Sequence, residues 1–400
     1  MPNRSVLLTF GPLVACLAAG YGVLFTMLDD YRNEYGIGEG ALGLVIGVGF
    51  LSGFVAQVVL APIADRGRAR LVLFAGMALN VVGLIMMAIA TEFLPLLLGR
   101  IVMGIGVGMA MPAVRRIVIL ADPDHLGQNL GRLLAIDVGG FAVGPIVSAL
   151  TVESLGIPAP FVIIAAGTVI ITPFAWRQRV VETDPGSTPT QRFAFDLLAI
   201  RPFAGAVILG STAWLMIGVF DALWAVALSD LDGGRWLTSL GISVFALPLI
   251  VLAATGGRLA QRVGPFRVAT VGLLGGAAFM AAYGWVPTAI AMFVVALFHS
   301  VNDGLTMAST GVAVGMVVPP ERQAGAQGVL GGIQVLTAGV VSTLGGLIYE
   351  IWGRAAAYTS AAVAMVTLVV IGRLLIGSAF GVRGRPIAIE ARPTVTAAVD

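Results

Sequence analysis

A chain of 400 residues that is 58% apolar and only 11% charged, with a mean hydropathy of +0.98, cannot coat a water-soluble globule of its size with polar surface. Its net charge of +2 comes entirely from arginines and acids scattered over short segments, which excludes a nucleic-acid footprint. The single cysteine, Cys16, excludes a disulfide or a cysteine metal cluster.

In chain order, Met1 to Ser5 carries one charge and leads into a full-length apolar run without a cleavage site, so the first helix is expected to stay uncleaved. The first six spans are predicted at Val6–Leu28, Ala41–Ile63, Leu71–Ala90, Pro95–Leu120, Leu133–Val152 and Ala159–Trp176. A polar stretch, Arg177–Arg201, separates them from six more at Phe203–Leu228, Leu237–Leu259, Phe266–Trp285, Thr288–Val317, Gly328–Tyr349 and Ala355–Leu375. Each run is about 20 residues or longer, enough for a hydrocarbon core of roughly 30 Å. The runs are continuously apolar, which excludes a β-barrel with its short alternating segments. The expected fold class is all-α integral membrane, with twelve transmembrane helices. The expected division is a bundle over residues 1–176, a central loop over 177–201, a second bundle over 202–376 and a flexible tail over 377–400.

All 23 basic residues are arginine. Nineteen fall in the tails, the central loop and the turns on that same side, against Arg32, Arg235 and Arg354 on the other side and Arg100 inside a span. The positive-inside rule then places both termini in the cytoplasm, and an inner (plasma) membrane location is expected.

The segment after the second span, Ala61-Pro62-Ile63-Ala64-Asp65-Arg66-Gly67-Arg68-Ala69-Arg70, has a counterpart after the eighth. That counterpart is Gly257-Arg258-Leu259-Ala260-Gln261-Arg262-Val263-Gly264, 196 positions later. Pro123 matches Pro319 at the same offset. A duplicated six-helix unit implies two parallel repeats with a site at mid-depth between them. In the fourth span Arg100, Gly104 and Gly106 fit RxxxGxG, and in the fifth Gly140, Gly144 and Pro145 fit GxxxGP.

At these residues the chain resembles the major facilitator superfamily along essentially its whole length, and within it the bacterial proton-coupled efflux branch. Asp65, Arg66 and Arg70 match the family's loop motif GxLADRxGRR, although Ala61 and Arg68 replace its glycines and the second copy has Gln261 for the acid. The Gly pair expected after GxxxGP is Ser148-Ala149. The resemblance implies a latch in which Asp65 faces a helix N-terminus of the other half. Arg66 or Arg70 would pair with an acid such as Asp122, and Arg262 would stand in the second copy. The alternative is a topology anchor. Gly140, Gly144 and Pro145 imply either a seal against proton leak or tight helix packing.

Ionisable residues within the bilayer are costly and so point to function. His299 precedes Asp303 by one helical turn, and with Asn302 they share mid-depth in the tenth span, which makes them the first candidates for a proton site. Arg100 needs a counter-ion, for which Asp29, Asp30 and Asp221 are candidates. Asp221, between Phe220 and Trp224, is the second choice for proton or substrate contact. Asp137 is expected to pair with Arg115 or Arg116. Tyr21, Phe25, Trp214, Trp224 and Phe298 are candidates for an apolar cavity wall.

No GxxxxGK[ST] loop, HExxH pair or nucleophile triad is present, so neither an ATP-driven pump nor an enzyme is expected, and no cofactor or metal. The expected function is a proton-coupled exporter of a hydrophobic or amphipathic small molecule, acting as a monomer in the lipid bilayer with protons and substrate as partners. The alternatives are a nutrient symporter or uniporter, and a non-transporting receptor or scaffold.

Overall fold

The computed structural model describes residues 4–384, which are helical apart from short turns and a largely irregular central segment, 177–200, that holds two 3-10 turns. The first half contains α1 (Arg4–Thr26), α2 (Leu28–Tyr35), α3 (Glu39–Val59), α4 (Ala69–Ala88), α5 (Phe93–Ala121), α6 (Leu126–Leu155) and α7 (Pro158–Trp176). The second contains α8 (Arg201–Ser229), α9 (Arg235–Val263), α10 (Pro265–Trp285), α11 (Ala289–Thr306), α12 (Ala308–Val317) and α13 (Gln323–Ile376). Among the described residues, ten helical runs are long and apolar enough to cross a membrane. Large side chains such as Leu150, Ile170, Val271 and Leu374 stay exposed on their outer faces, as a lipid solvent allows. Trp176, Trp285 and Trp352 sit exposed near helix ends, where an amphipathic indole suits the membrane interface.

The predicted spans and the helices differ where local chemistry intervenes. The second span stops at Val59 and tightens into a 3-10 turn over Ala61–Arg66, because Pro62 has no N–H to continue the ladder. The charged stretch after the first span folds into α2, held by Tyr31, whose buried hydroxyl donates to the Met87 carbonyl at 2.6 Å. The tenth span is interrupted at Met307, one turn beyond Asp303. The last run, α13, turns a corner at Gly353, whose φ of 78° is open to glycine and strained for other residues. Its first arm runs with α8, Ala338 lying near Gly218. The second runs back, with Met365 near Met216 and Gly372 near Leu209.

Packing separates the two ends of the molecule. One core cluster joins α1, α4, α5 and α6 of the first half to Ala260, Val312, Met316 and Ala324 of the second, near the termini. At the opposite end, the cluster around Leu24, Met27, Tyr31 and Phe161 draws on the first half alone. The one around Phe220, Trp224, Tyr283 and Tyr358 draws on the second alone. The halves therefore share a core on the termini side and are parted on the other. On the termini side they touch backbone to backbone. A Cβ at Gly127 would overlap the Gly257 carbonyl, and one at Gly131 the Ala253 carbonyl. The first arm of α13 packs on α3 in the same way, Gly328 and Gly332 lying against Gln57 and Phe54.

The expected flexible tail is anchored at its start. Residues Gly377–Gly381 form a 3-10 turn, and the Gly384 N–H donates to the Gln261 carbonyl at 2.8 Å. The remaining tail, 385–400, lies outside the described residues.

Candidate functional site

Three groups of polar residues are set at different levels of the molecule. The first is on the termini side. Asp65, only 2% exposed, accepts hydrogen bonds from Ala324 N at 2.9 Å and Gly325 N at 2.7 Å, in the first turn of α13. A carboxylate there satisfies orphan amide donors and meets the positive end of the helix dipole. The arginine partner is Arg116 of α5, at 3.2 Å and equally buried. This corrects the expected pairing. Arg66 donates to the Gln191 carbonyl at 2.8 Å. Arg70 reaches the Trp176 carbonyl and lies over its ring at 4.3 Å. Asp122 takes His125 at 3.1 Å and Asn129 at 3.3 Å instead of an arginine. Arg262 is exposed at the end of α9 and makes no hydrogen bond or ion pair among the described residues.

Gln261, read in the sequence as a lost acid, makes the counterpart contact. Its Oε1 accepts from Gly127 N at 2.8 Å, in the first turn of α6. Its Nε2 donates to the carbonyls of Pro123, Asp124 and Gly384 at 3.0 to 3.1 Å. The signal was present in the sequence, since Asp65 and Gln261 stand at the repeat offset.

The central loop ties the same region together. Glu182 caps α4 by accepting from Ala69 N at 2.8 Å and Arg70 N at 2.9 Å. Arg116 also donates to the Val181 carbonyl and Thr183 Oγ1. Arg322, from the second half, forks onto Asp196 at 2.6 and 2.9 Å, which holds the Asp196 carboxyl below the usual carboxylate range. These loop contacts join residues with no common motif and carry no sequence signal.

The second group is the pair in α11. His299 Nε2 lies 3.5 Å from Asp303 Oδ2, with the two side chains at 0% and 1% exposure. Tyr283 Oη meets His299 Nδ1 at 2.9 Å and Met216 Sδ lies 3.1 Å from Nε2. Phe220, Phe245 and Phe279 enclose the imidazole ring. Asn302 donates to the Gly272 carbonyl at 3.0 Å and to Asp303 at 3.3 Å. The pair thus faces α8, α9 and α10 within the second half, sealed from solvent. The helical spacing brought His299 and Asp303 together in the sequence. Tyr283, Met216 and Phe245 came from other helices and escaped it.

The third group is in the first half. Arg100 is fully buried with its guanidinium 4.1 Å over the Tyr21 ring and 5.6 Å from that of Phe50. None of the expected counter-ions reaches it. Asp29 is 81% exposed and pairs with Arg32 at 3.3 Å, and Asp30 is half-buried on the same short helix. Asp221 is exposed on α8 in the other half and has no hydrogen-bond or ion-pair partner among the described residues. Gly140 and Gly144 bring α6 against Ala15 and Ala19 of α1, with Pro145 over Gly22, so the GxxxGP stretch is a close helix contact. Trp224 is buried within the second half instead of lining a cavity wall, while Phe25 is exposed.

The sequence profile of the Major Facilitator Superfamily matches residues 10–232 and 222–398, almost the whole chain. The chain belongs to the major facilitator superfamily. Among curated members of the superfamily it is 27% identical over 218 residues to the quinolone resistance protein NorA of Staphylococcus aureus, a match covering 53% of this chain and 55% of that one. The matched region thus spans about half the length of that relative. It is 24% identical over 301 residues to the multidrug resistance protein MdtG of Klebsiella pneumoniae, covering 72% and 73% of the two chains. The proton:xylose symporter XylE has the same fold at a TM-score of 0.77 and 13% identity, over 98% of this chain and 100% of that one. The fucose:proton symporter FucP of E. coli matches at 0.75 and 15%, over 93% and 99%. The two symporters support the shared fold and no more. Membership makes this a multi-pass membrane protein.

Proposed function

We propose that this chain is a twelve-span secondary transporter of a bacterial inner membrane, with both termini cytoplasmic, that exports an amphipathic small molecule in exchange for protons. Arginine-rich turns on the termini side support this topology, and a count of twelve is supported if the two arms of α13 are taken separately and α9 is added to the apolar runs. On that topology the shared core and the Asp65 and Gln261 contacts close the cytoplasmic side, so the conformation described faces outward. Resemblance to the drug-resistance relatives NorA and MdtG supports export, at low identity.

The observation that carries the coupling is the His299–Asp303 pair. An acid 3.5 Å from an imidazole, closed off by aromatic rings from α8, α9 and α10, is a proton store whose occupancy can change only when those helices move. Rocking of the halves exposes it to one side or the other, which is what exchange against protons requires. No cofactor or nucleotide enters this scheme, and a single chain holds every group it uses.

The test is reconstitution in liposomes carrying an internal pH dye, screened with lipophilic cations, organic acids and sugars. Substrate-dependent proton movement is expected with the native chain and is lost with Asp303→Asn, while equilibrium substrate binding persists. Undiminished gradient-driven flux in that variant removes the coupling role. A response to sugars alone replaces export with nutrient uptake.

A further inference from the structure

We propose that Arg100 is a carboxylate-binding group, so that the molecule transported is an aromatic acid or zwitterion that brings its own counter-ion to the protein. This deepens the transporter reading above and rests on it.

The side chain is 0% exposed, within a span, and its Nε and Nη2 have no hydrogen-bond partner among the described residues, while Nη1 reaches Met103 Sδ at 3.6 Å and the Tyr21 side chain gives the guanidinium a neutral polar contact. A guanidinium keeps its charge under all ordinary conditions and has five donors to satisfy. It cannot be the titrating group of a proton exchange. Leaving it buried without an anion is unfavourable, Asp29 is taken up by Arg32, and among the described residues no carboxylate lies within ion-pair distance of Arg100.

The surroundings are shaped for the group. A Cβ at Gly49 would collide with Arg100 Nε and Cζ, so α3 admits the guanidinium only because that residue is glycine. Its face is covered by Tyr21, and a run of rings leads outward from there. Tyr21 and Phe50 are 6.1 Å apart, Phe50 and Phe25 6.4 Å, and Phe25 and Phe141 6.0 Å. Phe25 and Phe141 are exposed, at 37% and 43%.

The site therefore combines an apolar aromatic approach with a buried fork of N–H donors one ring layer beneath. A carboxylate is the anion whose two oxygens match that fork, and an attached aromatic ring matches the approach by edge or face contact. Entry requires Tyr21 or Phe50 to swing aside. The ligand's own ring then takes the place of the displaced one, and the bare donors at Nε and Nη2 are filled.

The experiment is isothermal titration of the purified full-length protein with three probes that share one ring system: 2-naphthoate, 2-naphthalenemethanol and 2-naphthylmethylammonium. The native protein is expected to bind naphthoate at least tenfold more tightly than the alcohol. Arg100→Gln erases that preference, and Arg100→Lys, which keeps the charge without the fork, retains part of it. If Arg100→Gln fails to fold, Gly49→Ala displaces the guanidinium without removing it and lowers naphthoate affinity several-fold while leaving the alcohol unchanged. Equal affinities for the three probes, tighter binding of the cation, absence of binding by all three, or a preference that survives Arg100→Gln overturns the proposal. Titration needs no gradient, so loss of coupling in Asp303→Asn leaves this result untouched. Proton-coupled flux of a cation without naphthoate preference defeats the anion site alone.

Discussion

Asp65 and Gln261 occupy equivalent positions in the two repeats, and each caps the first turn of a helix belonging to the other half. They differ in what each must carry with it. A buried carboxylate needs both amide donors and a cation, and it takes Ala324 N, Gly325 N and Arg116. An amide has no charge to compensate and can donate as well as accept. Gln261 therefore reaches one N–H and three carbonyls, one of them from the start of the tail. The first contact is strong and depends on a counter-ion; the second is milder and ties more chain together.

The largest expected effect comes from breaking the charged member. Asp65→Ala strips Arg116 of its counter-ion and uncaps α13, which costs the closed arrangement about 3–5 kcal/mol. Cross-linking of cysteines placed across the termini-side contact is expected to fall sharply. An unchanged yield would show that Asp65 is no latch. Asp65→Asn keeps one oxygen for capping and is expected to slow transport while sparing substrate binding; unaltered turnover speaks against the latch equally.

Replacing Gln261 by Glu sharpens the contrast from the other side. The carboxylate still accepts from Gly127 N but cannot donate to the three carbonyls, a loss of about 1–3 kcal/mol. Thermal melting of the purified protein reads the difference, and a gain in stability would mean that charge, and not donor capacity, is what this position favours. Gly257→Ala attacks the surface both caps hold together. Its Cβ meets the Gly127 carbonyl, and overpacking of this kind costs about 1–3 kcal/mol. The variant is expected to favour the state open on the termini side, as measured by thiol labelling within the cleft.

The smallest effect is expected at Arg322 and Asp196. Solvent screens this pair, so Arg322→Gln is expected to cost within about 1 kcal/mol. Because Asp196 is held below its ordinary value, its contribution is present above the unfolded carboxylate pKa of about 4 and fades as pH falls through the lowered one. The stability gap between Arg322→Gln and the native chain is therefore largest near neutrality and closes in acid. A gap that widens in acid contradicts this assignment.

Much of the fold is legible in the chain because lipid imposes a strict local rule. Each span must satisfy its own backbone, so helix positions follow from apolar length alone. Where they shifted, the cause was equally local: Pro62 ended a helix early, while Gly353 supplied the corner between the last two predicted spans. The candidate site was legible only within single helices. His299 and Asp303 meet because four residues make about one turn. Arg116, rather than Arg66 or Arg70, became the partner of Asp65 because α5 brings it beside the turn, and nothing in the sequence states that approach.

The sequence by itself determined a membrane solvent, matching segments 196 positions apart and which ionisable residues fall within the apolar runs. These follow from hydropathy and spacing, which are properties of neighbours in the chain. Only the tertiary structure decided which of those charges found partners. It joined Asp65 to Arg116, closed aromatic rings around His299 and left Arg100 with donors unfilled, because a counter-ion is chosen by distance across helices and by the space that residues such as Gly49 leave open.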